Sequence, residues 1–353
     1  MIGMPEVKDV KQESKPPQHL KFTVDIEGTK YQEQDQRITD LIVESVLDGA
    51  DRFAITLNYN FSREQDAFEE FSPGDFKAGK SITIKMGWQK RNNEQKTFTG
   101  TIQNMQSEFG QGRGPTVGIS GYGLLHDMMR GTPDDSWEES DSKKVKLKDP
   151  VEEKLGEYFG EMDVRKADLE RHKIVQHDES DYLFVKRLAD KYGFQFYTER
   201  DKVFFIPRTD LGDKGPVATL DQDKVESITG EINESDEVKE VEVRCWDMSN
   251  EEEIVGSDKK SEAKNSKKKV YRIPCESKAE ADKIAAHKLG QLSKERPTVH
   301  VETSRGKPDI KANEVVKLEQ FGDKFSTEYY VTRATHRISD SGYRTSFEGT
   351  EVP

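Results

Sequence analysis

Two cysteines, Cys245 and Cys275, are all that the 353 residues contain, and neither stands in a Cys-x-x-Cys pair. That scarcity excludes a disulfide-stapled fold and a thiolate metal ribbon, and the expectation is two unpaired, semi-buried thiols. Long apolar runs are missing too: no stretch approaches the ~20 residues of a membrane-spanning helix. Residues 1–19 are polar, hold Pro5, Pro16 and Pro17, and lack the apolar segment of a secretory signal, so they read as a flexible arm. Hydrophobic residues make up only 32% and charged residues 35%, with a formal net charge of −13. This acidic balance argues against nucleic-acid phosphate as the main partner and fits a protein that mildly repels polyanions. The composition describes modest cores, long polar loops and much surface given to partners.

Catalytic and cofactor patterns are equally scarce. The seven histidines (His19, His126, His172, His177, His287, His300, His336) are scattered, and His172 with His177 matches no zinc spacing. Glu138-Glu139 and residues 251–253 are acidic runs in polar stretches, read as solvated charge and not as paired catalytic carboxylates. Gly110-Gln111-Gly112-Arg113-Gly114 lies between two strands with no helix after it, so it reads as a hairpin turn and not a phosphate cradle. The lysines at 259–260 and 264–269 read as a mobile, solvated patch. No GxSxG elbow occurs. No catalytic, cofactor-binding or metal-binding residue is assigned, no cofactor is expected, and the chain reads as a non-enzyme.

What the chain does have is repetition. Lys77-Ala78-Gly79-Lys80-Ser81-Ile82-Thr83-Ile84, a polar turn and Thr97-Phe98-Thr99-Gly100-Thr101-Ile102 echo Lys311-Ala312-Asn313-Glu314-Val315-Val316-Lys317-Leu318, a turn and Tyr329-Tyr330-Val331-Thr332-Arg333-Ala334. Upstream, residues 46–51 and 53–57 echo residues 232–236 and 238–243. Strand-period text fills residues 20–121, with strands at 22–26, 38–46, 53–59, 81–86, 97–107 and 116–120 and a longer loop at 61–76. Residues 122–212 change to helix period: a short apolar helix at 122–129, an exposed loop at 132–148, a helix opened by Asp149-Pro150-Val151-Glu152, a second at 179–192 capped by Gly193, and a hairpin at 194–206. Strand text returns over 213–353, interrupted by a disordered loop at 247–269 and a helix at 277–293 behind the capping box Ser277-Lys278-Ala279-Glu280. The expected fold is mainly β: two similar antiparallel β-barrel domains, at 20–121 and 213–353, flanking a smaller α+β domain at 122–212.

Four segments carry a family resemblance. They are Leu47-Asp48-Gly49-Ala50-Asp51-Arg52-Phe53; Gly121-Tyr122-Gly123-Leu124-Leu125-His126; Val175-Gln176 with Ser180-Asp181-Tyr182-Leu183-Phe184, Leu188-Ala189 and Gly193-Phe194; and Tyr330-Val331-Thr332-Arg333-Ala334-Thr335-His336 with Gly342-Tyr343-Arg344-Thr345. In this order the chain resembles the late control gene D family, the baseplate hubs of contractile-tailed phages, and the hub half of VgrG spikes in contractile injection systems. Gly123 departs from the aspartate common at that place. The resemblance implies a homotrimer whose six similar barrels join a hexameric tail tube protein to a central trimeric spike protein, beside baseplate wedge components. It implies a channel crossed only transiently by DNA or effector cargo, synthesis in the cytoplasm and assembly into a particle. Because strand text ends at Pro353, the spike is expected as a separate chain. The alternatives are a hub-associated peptidoglycan hydrolase and a carbohydrate-binding or assembly module.

Overall fold

The computed structural model describes residues 20–352 apart from 34–36, 60, 63, 65–66, 69–75, 89–94, 111–113, 141–142, 200, 212–213, 233–237, 248–250, 260–266 and 293–296. The arm at 1–19 and the centre of the glycine turn, 111–113, lie outside the described residues, as does much of the loop at 61–76.

The first region runs β1 (Leu20–Ile26), β2 (Thr29–Gln32), β3 (Ile38–Val46), β4 (Arg52–Asn58), the short hairpin β5 (Phe61–Ser62) and β6 (Ala67–Phe68), β7 (Ser81–Trp88), β8 (Gln95–Glu108) and β9 (Thr116–Gly123). Alternation in the sequence becomes alternation in burial: Phe53, Ile55 and Leu57 point inward from β4, and Val117 and Ile119 from β9. With Phe22, Val24, Leu41, Ile82 and Ile84 they form one apolar core.

In the third region, β17 (Ala218–Leu220) and β18 (Val225–Glu231) precede an insert, and β22 (Thr298–Thr303), β23 (Val315–Leu318), β24 (Glu328–Ser339) and β25 (Gly342–Glu351) follow it. Both regions belong to one sheet, ordered β18-β22-β25-β24-β3-β4-β9-β8-β7-β1-β2, with β23 on β24 and β17 on β23. Within it a five-strand antiparallel ladder occurs twice, as β3-β4-β9-β8-β7 and as β18-β22-β25-β24-β23. The irregularities repeat as well. One register shift falls between Ile38 and Asp40 and between Val225 and Ser227; another falls between Ile102 and Asn104 and between Val331 and Arg333. Gly79 and Asn313, both at positive φ, donate to the carbonyls of Ile102 and Val331. Gly121 and Gly349 face those same two residues. The repetition therefore extends to backbone detail that hairpin resemblance alone does not produce.

One echo is corrected. The counterpart of β4 is β22, not residues 238–243, because a separate unit interrupts the second copy between β18 and β22. It consists of β19 (Val238–Asp247), β20 (Glu252–Lys259), β21 (Lys267–Arg272) and α3 (Lys278–Leu292), with β20 and β21 flanking β19 in their own sheet. The expected disordered loop at 247–269 thus holds β20 and the start of β21. Its polar sequence suits a strand because the ladder with β19 satisfies the backbone and Lys268 pairs with Glu240 and Glu242. Only one face needs apolar cover, and α3 supplies it by packing Ala281, Ile284, Ala285 and Leu289 against Val241 and Val243. The helix opens as its capping box demands, with the Glu280 amide donating to Ser277 Oγ at 3.2 Å.

The thiols are a second correction: Cys245 and Cys275 form a disulfide linking β19 to the segment entering α3, with Cα atoms 5.7 Å apart. Both are buried, so the fold of the insert brings them together although their spacing in sequence, 30 residues, is uninformative.

The middle region contains a 3-10 helix (Leu124–Met129), β10 (Asp135–Glu138), β11 (Val145–Lys146), α1 (Lys148–Gly156), β12 (Glu161–Val164), β13 (Glu170–Arg171), β14 (Lys173–Gln176), α2 (Asp181–Tyr192), β15 (Phe194–Glu199) and β16 (Lys202–Pro207). The exposed loop expected at 132–148 is corrected: β10 pairs with β14, β11 with β13, and Val145 and Leu147 are buried. Ser180 caps α2 by accepting from the Leu183 amide, and Gly193 ends it at φ 81°. Leu125, Met128, Leu155, Phe184, Leu188, Phe196 and Phe205 meet in a second core.

Candidate assembly surface

The two ends of the sheet differ in what they carry. The middle region leaves β9 at Gly123, where the Gly123 amide donates to the Asp51 carbonyl in the β3–β4 turn. The insert leaves at the equivalent turn of the second copy. Both sit at the same end, and they pack together: Arg171 and Tyr192 meet Glu280 of α3, and Lys191 donates to the Pro274 carbonyl at 2.7 Å. At the opposite end the connections β8–β9 and β24–β25 occupy equivalent places in the two copies. One end thus carries a different addition in each copy, and at the other the two connections hold equivalent places, although residues 109–115 are a longer link than residues 340–341.

Where the copies meet, the second half of β24 continues past β23 and pairs with β3, from Arg333 against Val46 to Ser339 against Asp40. Ile338 enters the first core beside Leu41, the Ala312 amide donates to Ser45 Oγ at 2.9 Å, and Trp88 Nε1 donates to the Gly306 carbonyl at 3.0 Å. The opposite face of the joint carries matched charges, Asp40 with Arg337 and Glu44 with Arg52, each at 2.8 Å. The joint is a packed sheet and not a linker.

Beside it, a small cleft is lined by Asp51, Tyr197, Glu199, Lys311, Asn313 and Glu314. Burial pushes Asp51 up to about 7, against the lowering effect of the hydrogen bond from the Val46 amide and the Lys311 charge. Burial also raises Glu314. The folded state therefore favours neutral Asp51; the stability this contributes is complete below pH ~4 and is lost as pH rises through about 7. Asp51→Asn, which keeps the acceptor, should be more stable than the parent by on the order of 2–3 kcal/mol at pH 9, and the gain should vanish near pH 4. Urea unfolding across that range measures it.

Several of the residues that carried the family resemblance prove to be packing devices. Gln176 is fully buried and donates to Asp181 at 2.8 Å; Tyr158 donates to the other carboxylate oxygen at 2.7 Å, and buried Lys154 lies 3.3 Å away. His336 is buried, with Nδ1 3.0 Å from Thr345 Oγ1 and 2.9 Å from Tyr343 Oη; burial and Lys311 hold its pKa down to about 3. A Cβ on Gly121 would lie 2.0 Å from the Thr101 carbonyl oxygen, so that strand crossing requires glycine. None of these groups converges on a shared cleft. Burial lowers His287 to about 4, His126 stacks on Tyr122, and His172 and His177 pair with Glu139 and Asp134. Glu138 pairs with Lys173 and Glu253 with Arg244. No group of three metal-ligating side chains occurs among the described residues. No helix there is long and apolar enough to cross a membrane.

The fold is shared with tail proteins. The 43 kDa tail protein of prophage MuSo2 from Shewanella oneidensis is 13% identical, with 94% of this chain and 98% of that one covered at a TM-score of 0.71. A tail protein from Neisseria meningitidis MC58 is 14% identical, with coverage of 94% and 96% and a TM-score of 0.69. A component of the E. coli type VI secretion system, described as structurally similar to phage T4 tail proteins, is 12% identical, with coverage of 94% and 77% and a TM-score of 0.58. No curated protein matches the sequence. The family model described as the Alg8 N-terminal domain matches residues 17–340, and the chain belongs to that family.

Proposed function

We propose that this protein is a structural hub of a phage tail or contractile injection particle: a homotrimer joining a hexameric tail tube to a central trimeric spike, without catalysis. The observation that carries the reading is the five-strand ladder present twice with the same register shifts. Three chains would supply six such units, matching a sixfold partner at the end away from the middle region and the insert. The insert and the middle region occur once per chain, so the other end would be threefold and suited to the spike. On this reading the chain divides into two tube-like domains at 20–121 and 213–353 around a middle domain at 122–212. The tail and secretion-system proteins that share the fold support the setting. A net charge of −13 suits a channel that must not hold a polyanionic cargo.

The test is reconstitution with the tube and spike proteins encoded in the same particle. Binding of both, at three copies of this chain per tube hexamer, is the expected outcome. A protein that binds neither, or that clears peptidoglycan, overturns the reading.

A further inference from the structure

Strand β8 is longer than its partner. It pairs with β7 only as far as Thr101, and with β9 from Gly100 to Glu108. Among the described residues no strand pairs with β8 beyond Ile102 on the β7 side. Residues 104–110 are exposed, including two large apolar side chains, Met105 (38%) and Phe109 (59%). At the far end of the same sheet, β18 pairs among the described residues only with β22, and its residues are exposed or half-buried on both faces. Exposed edges with apolar side chains are templates for further pairing.

The repeat says what fits them. By the ladder equivalence, β8 corresponds to β24 and β18 to β3. In one chain the second half of β24 pairs with β3, where Leu41, Val43 and Ile338 are buried. Counting from the shared register shifts, Ala334 corresponds to Met105 and Ile338 to Phe109; Leu41 corresponds to Ile228 and Ser45 to Ile232. Carrying the β24–β3 register over sets Met105 against Ile232, Glu108 against Thr229 and Phe109 against Ile228. The apolar members would meet on the core face, where Ile228, Val225, Phe321 and Phe325 are only partly covered. Among the described residues these two edges do not pair with each other within the chain.

We propose that residues 105–109 of one copy pair antiparallel with residues 228–232 of a second copy of this chain, in the register of the internal β24–β3 joint, with Phe109 entering the neighbour's second core. The contact is head to tail, so each chain gives one edge and receives the other. Such contacts close into a ring or grow without limit. This rests on the hub reading for closure at three chains, but the pairing itself stands on the ladder.

The experiment uses the full chain with paired cysteines. Glu108→Cys with Thr229→Cys lie opposite on the face away from the core, whereas Asn104→Cys with Thr229→Cys are four residues out of register. All three positions are exposed, so folding is retained. Mild oxidation should link E108C/T229C into species up to three chains, and a mixture of the two single variants should link only between chains. The out-of-register pair should not link. Phe109→Asp should abolish association and leave the unfolding temperature of the single chain unchanged. A three-chain mass without the E108C/T229C link overturns the pairing and leaves the hub reading intact. Links running beyond three chains uphold the pairing and overturn the hub. A single-chain mass without links, even with tube and spike present, overturns both.

Discussion

Asp181→Ala is expected to destabilise the protein by about 3–5 kcal/mol, the cost of leaving a buried charge and its hydrogen-bond donors without their shared acceptor. Asp181 accepts from Gln176 Nε2 and Tyr158 Oη and lies 3.3 Å from Lys154, and all but Tyr158 are buried. Burial by itself would raise its pKa, but the two hydrogen bonds and the Lys154 charge outweigh it and hold the carboxyl below its ordinary value. Lys154 keeps Asp135 at 2.6 Å and Glu157 at 3.5 Å, yet neither replaces the acceptor that Gln176 and Tyr158 lose. Asp181→Asn should cost less, since it retains an acceptor. With a lowered folded pKa, the contribution of Asp181 is complete above pH ~4 and disappears as pH falls through the folded value. The gap between parent and Asp181→Ala should therefore shrink in acid. A gap below about 1 kcal/mol at pH 7 would mean that the buried cluster is not a unit.

Opening the disulfide should have the next largest effect. Cross-linking across 30 residues restricts the unfolded chain by about 3–4 kcal/mol in the loop-entropy account. Reduction, or Cys245→Ser with Cys275→Ser, should lower stability by that order. The loss should concentrate in the insert, because both cysteines belong to the cluster formed by β19 and α3. Amide exchange should quicken in β21 and α3 while β4 and β9 stay protected. Equal exchange in the oxidised and reduced protein would contradict this.

These two features mark where the sequence was legible and where it was not. Helix α2 could be read because Ser180, Gly193 and the stripe of Tyr182, Val185 and Ala189 are local signals. The strands β4 and β9 could be read because one face is apolar. The strand β21 could not: Lys267-Lys268-Lys269 has no apolar alternation, and its stability comes from β19 and its glutamates, distant in sequence. The disulfide was hidden for the same reason, since its geometry is set by an insert whose strands were not recognised. The repeated hairpin was visible, but its upstream partner was misplaced because β22 lies beyond the insert. The candidate assembly edges escaped altogether: Met105 and Phe109 look like core residues in a sequence, and only the ladder shows them outside. Gln176, Asp181 and His336 stood out through the family resemblance, while their roles as buried hydrogen-bonding groups required the fold.

The central claim is that one chain carries two equivalent ladder units so that three chains make a ring of six. Native mass measurement of the purified protein, with its tube and spike partners added where needed, tests it most directly. The account predicts a species of three chains, each of 40.4 kDa, whose ring images show six similar densities at one end and three at the other. A stable dimer, or a monomer that persists with both partners present, would contradict it.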